Sequence, residues 1–178
     1  ILDKFPIIQD QTSPNLAHIP TTNLYDYSED FSTWGYLPRY SLSYGFLSPD
    51  GTNNATKLTA ANTDPFIYKN VTGVTGLTYS ASIYVKGTTS TIGEDTRLWI
   101  IRDNVDFRYE DFTITSEWQR IETTTTFNTT PVSFVYLRLD APNTNVQIGD
   151  EVYIFGAQLE EQSQATAYLP SYGIASVR

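Results

Sequence analysis

The side chains that most often carry out catalysis are scarce in this sequence. It contains one histidine, His18, and no cysteine. A serine or cysteine hydrolase triad needs a base of near-neutral pKa, and a zinc site needs several histidine or cysteine ligands. Neither can be built from a single histidine, and the lack of cysteine also excludes disulfides. These classes of enzyme and metal site are therefore excluded.

Carboxylates remain as candidate catalytic groups, because a glycosidase needs only a pair of them. Four acids cluster in one predicted strand–turn–strand unit: Asp103, Asp106, Glu110 and Asp111. Acids in a solvated turn are the simpler interpretation of this cluster. The sequence also lacks a glycine-rich loop of the kind that binds phosphates. We therefore predict that the chain is not an enzyme.

Aromatic residues and arginines offer a different chemistry, the binding of sugars. A sugar stacks its apolar C–H face on an aromatic ring and forms hydrogen bonds with polar neighbours, and a rigid sheet presents both without an ordering cost. Tyrosine, tryptophan and arginine also dominate binding hot spots. The predicted ligand-binding residues are Tyr84, Trp99, Arg102, Tyr109, Tyr136 and Arg138. Two alternatives stay open: the rings could be core, or they could contact a neighbouring subunit.

Charge and hydropathy exclude two further classes of partner. The formal net charge is −9, whereas a protein that binds a nucleic acid backbone needs a basic stripe. No apolar run approaches the ~18 residues that a membrane span requires. We therefore expect neither nucleic acid binding nor membrane insertion. The sequence contains no methionine, even at position 1, so we expect it to be part of a longer protein.

The elements that must position these side chains are predicted to be short strands. In residues 77–86, alternation assigns one set of side chains to the core, Tyr79, Ala81, Ile83 and Val85, and the other to the outward face, Ser80, Ser82, Tyr84 and Lys86. In residues 132–140, Val135, Leu137 and Leu139 likewise point one way, and Phe134, Tyr136, Arg138 and Asp140 the other. Similar segments span 39–47, 55–60, 66–71, 97–102, 106–113, 118–127, 132–140 and 151–159. No ten-residue stretch has a helical period, although one helical turn is expected near residues 29–34. Many short strands at this spacing predict an all-β antiparallel sandwich.

Two features refine the domain organisation. Residues 1–22 contain three prolines and no periodicity, which predicts an extended N-terminal arm or linker. The domain itself is predicted to span residues 23–172, with an exit segment at 173–178. Within the last long strand, Gly156 predicts a bulge that switches the faces, so that Val152 and Ile154 share the core with Ala157 and Leu159.

Two blocks of the sequence carry a resemblance to a known family. The first is Asn23-Leu24-Tyr25-Asp26-Tyr27-Ser28-Glu29-Asp30-Phe31-Ser32-Thr33-Trp34; the second runs from Gly149 to Glu161 and continues in Gln164-Ala165-Thr166-Ala167-Tyr168-Leu169-Pro170. They resemble the jelly-roll modules of tailed-phage virion proteins, which look like distant relatives of carbohydrate-binding modules. The resemblance covers about residues 23–172 and implies a jelly-roll sandwich with an extended N-terminal arm.

The resemblance also bears on a cofactor. Carbohydrate-binding jelly rolls often hold a structural calcium with paired aspartates of the last strand, but Phe155 and Gly156 stand at those positions here. Neither side chain supplies an oxygen ligand, so no cofactor is expected. A structural calcium remains the alternative, with the acidic turns at 29–30, 103–106 and 150–151 as candidates.

For function, the resemblance implies a non-catalytic module of a phage virion protein, located on a tail fibre, spike or capsid fibre. Its partners would be host-surface carbohydrate and other virion subunits, and fibre proteins of this kind suggest a homotrimer. Two alternatives stay open. One is a purely structural module that makes subunit contacts; the other is an accessory carbohydrate-binding domain of an extracellular polysaccharide-degrading enzyme.

Overall fold

The computed structural model describes residues 21–35, 39–72, 74–140 and 146–177. His18 and nearly all of the expected N-terminal arm lie outside these ranges. The strands are β1 (Thr22–Asn23), β2 (Tyr40–Phe46), β3 (Ala55–Ala60), β4 (Phe66–Thr72), β5 (Thr78–Gly87), β6 (Asp95–Arg102), β7 (Asp106–Thr113), β8 (Gln119–Thr126), β9 (Phe134–Asp140), β10 (Glu151–Glu160) and β11 (Ser176–Val177). The helical turn expected near residues 29–34 is a 3-10 helix, Phe31–Thr33.

The strands form an antiparallel sandwich, which confirms the predicted jelly-roll fold. One sheet has five strands in the order β2-β3-β10-β5-β8, and the other has four in the order β4-β9-β6-β7. All pairings in both sheets are antiparallel. The short strands β1 and β11 pair separately, with Thr22 opposite Val177 and Asn23 opposite Ser176. No helix in the described part of the chain is long and apolar enough to span a bilayer.

The core lies between the two sheets and follows the predicted alternation. In β5, Tyr79, Ala81, Ile83 and Val85 are fully buried. In β9 and its neighbours the buried residues are Val135, Leu137, Leu139, Ile67, Leu98 and Ile100. Trp34 closes this core next to the 3-10 helix, with its ring centroid 5.2 Å from that of Tyr25 and 5.0 Å from that of Phe31.

The predicted bulge in β10 is present at Gly156. The pairing with β5 shifts between Phe155 and Gln158, and Gly156 has a φ of +61°, which a side chain rarely tolerates. Phe155, next to the core residue Ile154, faces the outer surface of the five-stranded sheet by ordinary alternation. As a result of the bulge, Ala157 returns to the core side on which Ile154 lies. There the ring of Phe155 lies 5.4 Å from that of Tyr168.

The outer surface of the five-stranded sheet is covered over its central strands β5 and β10, contrary to the prediction for β5. Ser80 and Ser82 are completely buried, because the chain after β10 returns across this surface. Ser80 donates a hydrogen bond to the Gln162 carbonyl at 2.9 Å, and Arg120 donates one to the Thr166 carbonyl at 2.6 Å. Residues 161–172, here called the C-terminal cover, therefore cover the middle of this outer surface.

Candidate functional site

The outer surface of the four-stranded sheet is lined with aromatic rings. Because alternate residues of these strands are core, the intervening side chains point away from the partner sheet. The strand pairing places Tyr68 opposite Arg138, Arg138 opposite Trp99, and Trp99 opposite Tyr109, so that one row crosses all four strands. We call this surface the ring-lined face; its outward residues are Phe66, Tyr68, Asn70, Phe134, Tyr136, Arg138, Asp140, Arg97, Trp99, Ile101, Phe107, Tyr109 and Asp111.

The rings of this face form two clusters. In the first, the Phe66 and Tyr68 centroids are 5.9 Å apart, those of Tyr68 and Tyr136 are 5.5 Å apart, and those of Tyr136 and Phe134 are 5.7 Å apart. In the second, Trp99 lies 4.6 Å from Tyr109 and 5.4 Å from Phe107. All pairs are tilted or edge-on, the arrangement that favours ring–ring attraction. Each cluster thereby holds its rings in place.

Arg138 and Asp140 lie between the two clusters. The guanidinium carbon of Arg138 is 3.9 Å from the centroid of Phe66 and 5.9 Å from that of Trp99. Its Nε donates a hydrogen bond to Asp140 Oδ1 at 2.5 Å, and Trp99 Nε1 donates one to Asp140 Oδ2 at 2.7 Å. One carboxylate thus fixes both the arginine and the tryptophan, which stand on adjacent strands.

A groove of about 350 Å³ runs along the first cluster, lined by Phe66, Tyr68, Asn70, Asn104, Phe134, Tyr136 and Arg138. At one end of the groove, the Tyr136 hydroxyl donates a hydrogen bond to Asn104 Oδ1 at 2.7 Å. Burial raises the pKa of Tyr136, so this hydroxyl stays protonated at neutral pH. The groove therefore combines aromatic surface with amide, hydroxyl and guanidinium groups, a composition suited to an uncharged polar ligand.

The end of the groove is held in place by Asp103. Asp103 and Asn104 have left-handed φ values of 49° and 58°, a conformation that aspartate and asparagine tolerate better than most residues. The Asp103 carboxylate accepts hydrogen bonds from the backbone N–H groups of Val132, Ser133 and Phe134 at 2.8, 2.8 and 2.9 Å. These bonds lower the pKa of Asp103. Asp103 thus has a structural task in the β6–β7 turn.

The structure brings four of the six predicted ligand residues onto the ring-lined face: Trp99, Tyr109, Tyr136 and Arg138. Tyr84 lies on the other sheet, 5.9 Å from Phe155 and 6.0 Å from Tyr168 by ring centroids, under the C-terminal cover. Arg102 is only 9% exposed and lies with its guanidinium carbon 5.5 Å from the centroid of Phe127. Arg102 is three residues from Trp99, so the two point to opposite faces of β6.

Several aromatic and amide residues of the face were not among the predicted ligand residues: Phe66, Tyr68, Asn70, Phe134 and Phe107. A usable signal was present, because Phe66, Tyr68 and Asn70 alternate with the buried Ile67 in a predicted strand. What periodicity could not supply was the neighbour relation of β4 and β9, which are far apart in sequence.

The other candidate acids do not assemble into a metal centre. In the part of the chain that the structure describes, no group of three or more histidine, cysteine, aspartate or glutamate side chains could hold a metal ion. Asp106 lies 3.7 Å from Arg102, and Asp111 pairs with Arg97 on the ring-lined face. Gly156 stands at one of the two positions where the family resemblance would place calcium-binding aspartates. The ring of Tyr168 occupies the space next to it, with its Cζ 2.9 Å from where a Cβ would be.

Comparison with solved structures shows that this fold is similar to that of carbohydrate-binding modules. The carbohydrate-binding module TmCBM61, solved in complex with β-1,4-galactotriose, matches with a TM-score of 0.57 and 14% identity over 77% of this chain and 97% of that chain. The CBM22-1 xylan-binding domain of Paenibacillus barcinonensis Xyn10C matches with a TM-score of 0.53 and 12% identity over 83% of this chain and 94% of that chain. No protein-family model and no curated protein matches the sequence.

A third match comes from a virus. Tailspike protein 4 of bacteriophage CBA120, in its enzymatically active domain, matches with a TM-score of 0.54 and 9% identity over 77% of this chain. This chain spans about a fifth of that protein, 21% of its length. At these identities the likeness establishes the jelly-roll fold that carbohydrate-binding modules share.

Proposed function

We propose that this chain is a non-catalytic module that binds glycans along the groove of the ring-lined face. One observation carries the proposal: two packed ring clusters flank a hydrogen-bonded Arg138–Asp140 pair on an open, rigid sheet. Rings of the first cluster would stack on sugar C–H faces in the groove, and the second cluster, with Trp99, would extend the stacking surface beyond it. The side chains of Asn70, Asn104 and Arg138 would form hydrogen bonds with sugar hydroxyls.

The geometry supports this function because little has to be ordered on binding. The rings are fixed by ring–ring contacts, and Arg138 is held by Asp140 and by the face of Phe66. A preformed site loses little side-chain entropy when a ligand arrives, which favours affinity. That two matched modules are described as a galactotriose complex and a xylan-binding domain lends support from the same fold.

For the biological setting we propose a tail fibre, spike or capsid fibre of a phage, with host-surface carbohydrate as the ligand. The sequence resemblance and the tailspike match support this setting. In a homotrimer, several weak sites acting together would gain avidity of roughly 10²–10⁴. An accessory domain of a polysaccharide-degrading enzyme fits the comparisons equally well, and a catalytic domain in the flanking sequence would favour it.

The test is glycan-array binding followed by calorimetry on the wild type, Trp99→Ala and Tyr136→Ala. We expect each substitution to weaken binding roughly 10–100-fold, the cost of removing a hot-spot ring. Tyr44→Ala is the matched control, because Tyr44 is 54% exposed on the other sheet; its binding should equal that of the wild type. Absence of wild-type binding to any glycan, or equal effects of all three substitutions, would contradict the proposal.

A second control uses Tyr84, which packs under the C-terminal cover. Tyr84→Ala should lower the melting temperature by several degrees and leave the affinity of the folded protein unchanged, because its ring contacts Phe155 and Tyr168. If the ring-lined face served only subunit contacts, Trp99→Ala would instead change the oligomeric state measured by light scattering.

A further inference from the structure

We propose that Asp140 makes the ring-lined face selective for uncharged glycans over anionic ones. The inference rests on the proposed function and concerns the charge class of the ligand. Within the described residues, Arg138 is the charged side chain that lines the groove. An arginine in a sugar groove would ordinarily attract uronates, sialic acids or sulfated sugars, since its planar fork suits carboxylate and sulfate oxygens.

Asp140 offsets this attraction because it pairs with Arg138 on the same sheet face. Its Oδ1 accepts from Arg138 Nε, so the positive charge of the guanidinium is balanced at hydrogen-bond distance. The two side chains are only 28% and 21% exposed, which limits how far water screens the pair. An incoming carboxylate would have to approach the Asp140 carboxylate as well as Arg138, and the repulsion between like charges would offset the attraction.

The other charged side chains around the face also disfavour anionic ligands. Arg97 is paired with Asp111, and Arg39, whose guanidinium also lies 3.9 Å from the Phe66 centroid, is paired with Asp64 at 3.2 Å. Arg39, Arg97 and Arg138, the three arginines stacked on rings of the face, thus each pair with a carboxylate. The chain as a whole carries a net charge of −9, which repels polyanions at long range. Uncharged sugars are neither attracted nor repelled by this net charge.

The effect of the Asp140 charge on selectivity can be measured separately from the hydrogen bond by which Asp140 holds Trp99. Asparagine keeps an oxygen that can accept from Trp99 Nε1, so Asp140→Asn removes the charge with little change of shape. The neighbouring Asp111→Asn is the matched control, because it removes the same charge from the same face. Asp111 is 56% exposed and its partner Arg97 does not line the groove.

The experiment measures binding of wild type, Asp140→Asn, Asp111→Asn and Arg138→Gln/Asp140→Asn to matched ligands. The ligands are β-1,4-galacto-oligosaccharides and cello-oligosaccharides, each with a form oxidised at C6 to the uronate, alongside an array of neutral and anionic glycans. We expect wild type to bind neutral glycans and to reject anionic ones. Asp140→Asn should raise the ratio of anionic to neutral glycan affinity about tenfold, as expected for a freed arginine, whatever its effect on neutral binding itself. Asp111→Asn and the double variant should show no such gain.

The outcomes separate this inference from the proposed function. If wild type binds anionic glycans as well as neutral ones, or if Asp140→Asn gains nothing, the selectivity role of Asp140 is refuted while glycan binding stands. If wild type binds no ligand of either class, glycan binding itself fails and the inference with it. A melting temperature for each variant confirms that the folded protein is being compared.

Discussion

Asp103 illustrates how one residue can determine the shape of the site without touching a ligand. Its carboxylate accepts three backbone hydrogen bonds from residues 132–134, at the start of β9. The turn that contains it presents Asn104 to the groove, and Asn104 in turn accepts from Tyr136. Asp103, which the sequence alone suggests to be a solvated acid in a turn, therefore helps to position two groove residues, Asn104 and Tyr136.

This role predicts a pH-dependent loss of stability in Asp103→Asn. The folded pKa of Asp103 is lowered, while an unfolded aspartate titrates near ~3.9. Its stabilising contribution is therefore complete above that value and is lost as pH falls through the folded pKa. At pH 7 we expect the free energy of unfolding to fall by about 1–2 kcal/mol, as for the loss of charge-assisted hydrogen bonds. The difference from wild type should vanish under strongly acidic conditions.

Thermal melts between pH 7 and pH 2 provide the measurement. Asp64→Asn is the control, because the Asp64 side chain is 85% exposed and pairs at the surface with Arg39. Its melting temperature should follow the wild type throughout. A constant offset of Asp103→Asn at every pH would show that the charge of Asp103 is not responsible.

At the scale of the element, β10 depends on the bulge at Gly156. The bulge brings Ala157 to the core side, and the missing side chain of Gly156 leaves room for the ring of Tyr168. The Tyr168 hydroxyl is hydrogen-bonded to Ser28 at 2.8 Å and donates to Glu29 at 2.9 Å. One irregular residue thus connects the central strand, the C-terminal cover and the segment before the 3-10 helix.

Gly156→Ala should therefore be more damaging than an alanine at another glycine with positive φ. We expect a loss of about 2–4 kcal/mol, the sum of left-handed strain and overpacking against Tyr168. Gly51→Ala is the control, since Gly51 has a φ of +84° with no atom within 4 Å of an added Cβ. Its loss should be about 1–2 kcal/mol, from strain alone. Equal losses in urea unfolding would refute the contact with Tyr168.

The strands show what the sequence could and could not predict. Alternation of apolar residues located β5 and β9 and assigned Ile83 and Leu137 to the core, because a buried face imposes a period of two. The same reasoning left Ser82 at the surface, where the structure buries it. Local pattern reports which side of a strand is apolar, whereas the covering of the other side depends on a segment about 80 residues away.

The same limit applies to the candidate site. Tyr84 and Tyr136 have similar local surroundings in sequence, each an aromatic residue between core positions. Only the sheet order shows that Tyr84 lies on the covered sheet and Tyr136 on the open one. Arg102 could have been excluded earlier, since its separation of three from Trp99 is incompatible with a shared face of one strand.

At the scale of the whole molecule, the two outer surfaces differ in kind. The C-terminal cover lies over the central strands of the five-stranded sheet, held by hydrogen bonds such as Leu169 N–H to Gln158 Oε1 at 2.7 Å. The four-stranded sheet carries no such cover in the described part of the chain and presents its ring-lined face outward. This asymmetry leaves one broad surface available to a partner.

The whole molecule should also be stable without divalent cations. Phe155 and Gly156 stand where the family pattern has paired calcium-binding aspartates. In the described residues, no group of acidic side chains could hold a metal ion in their place. We expect the melting temperature to be the same in EDTA and in millimolar calcium. A fall of several degrees in EDTA would show a bound cation and would direct attention to the turn at 48–54. There, Ser48 Oγ lies 2.6 Å from Asp50 Oδ1 and 2.7 Å from Asn54 Oδ1.

The pairing of β1 with β11 has a mechanical consequence. The two strands are antiparallel, with Thr22 opposite Val177, so the chain enters and leaves at the same end of a two-residue ladder. Tension applied between the residues next to Thr22 and Val177 would break the hydrogen bonds of this ladder one after another instead of all at once. Once the ladder opens, the load passes directly to the hydrogen bond from Leu24 N–H to the Leu159 carbonyl, and so to β10 of the sandwich.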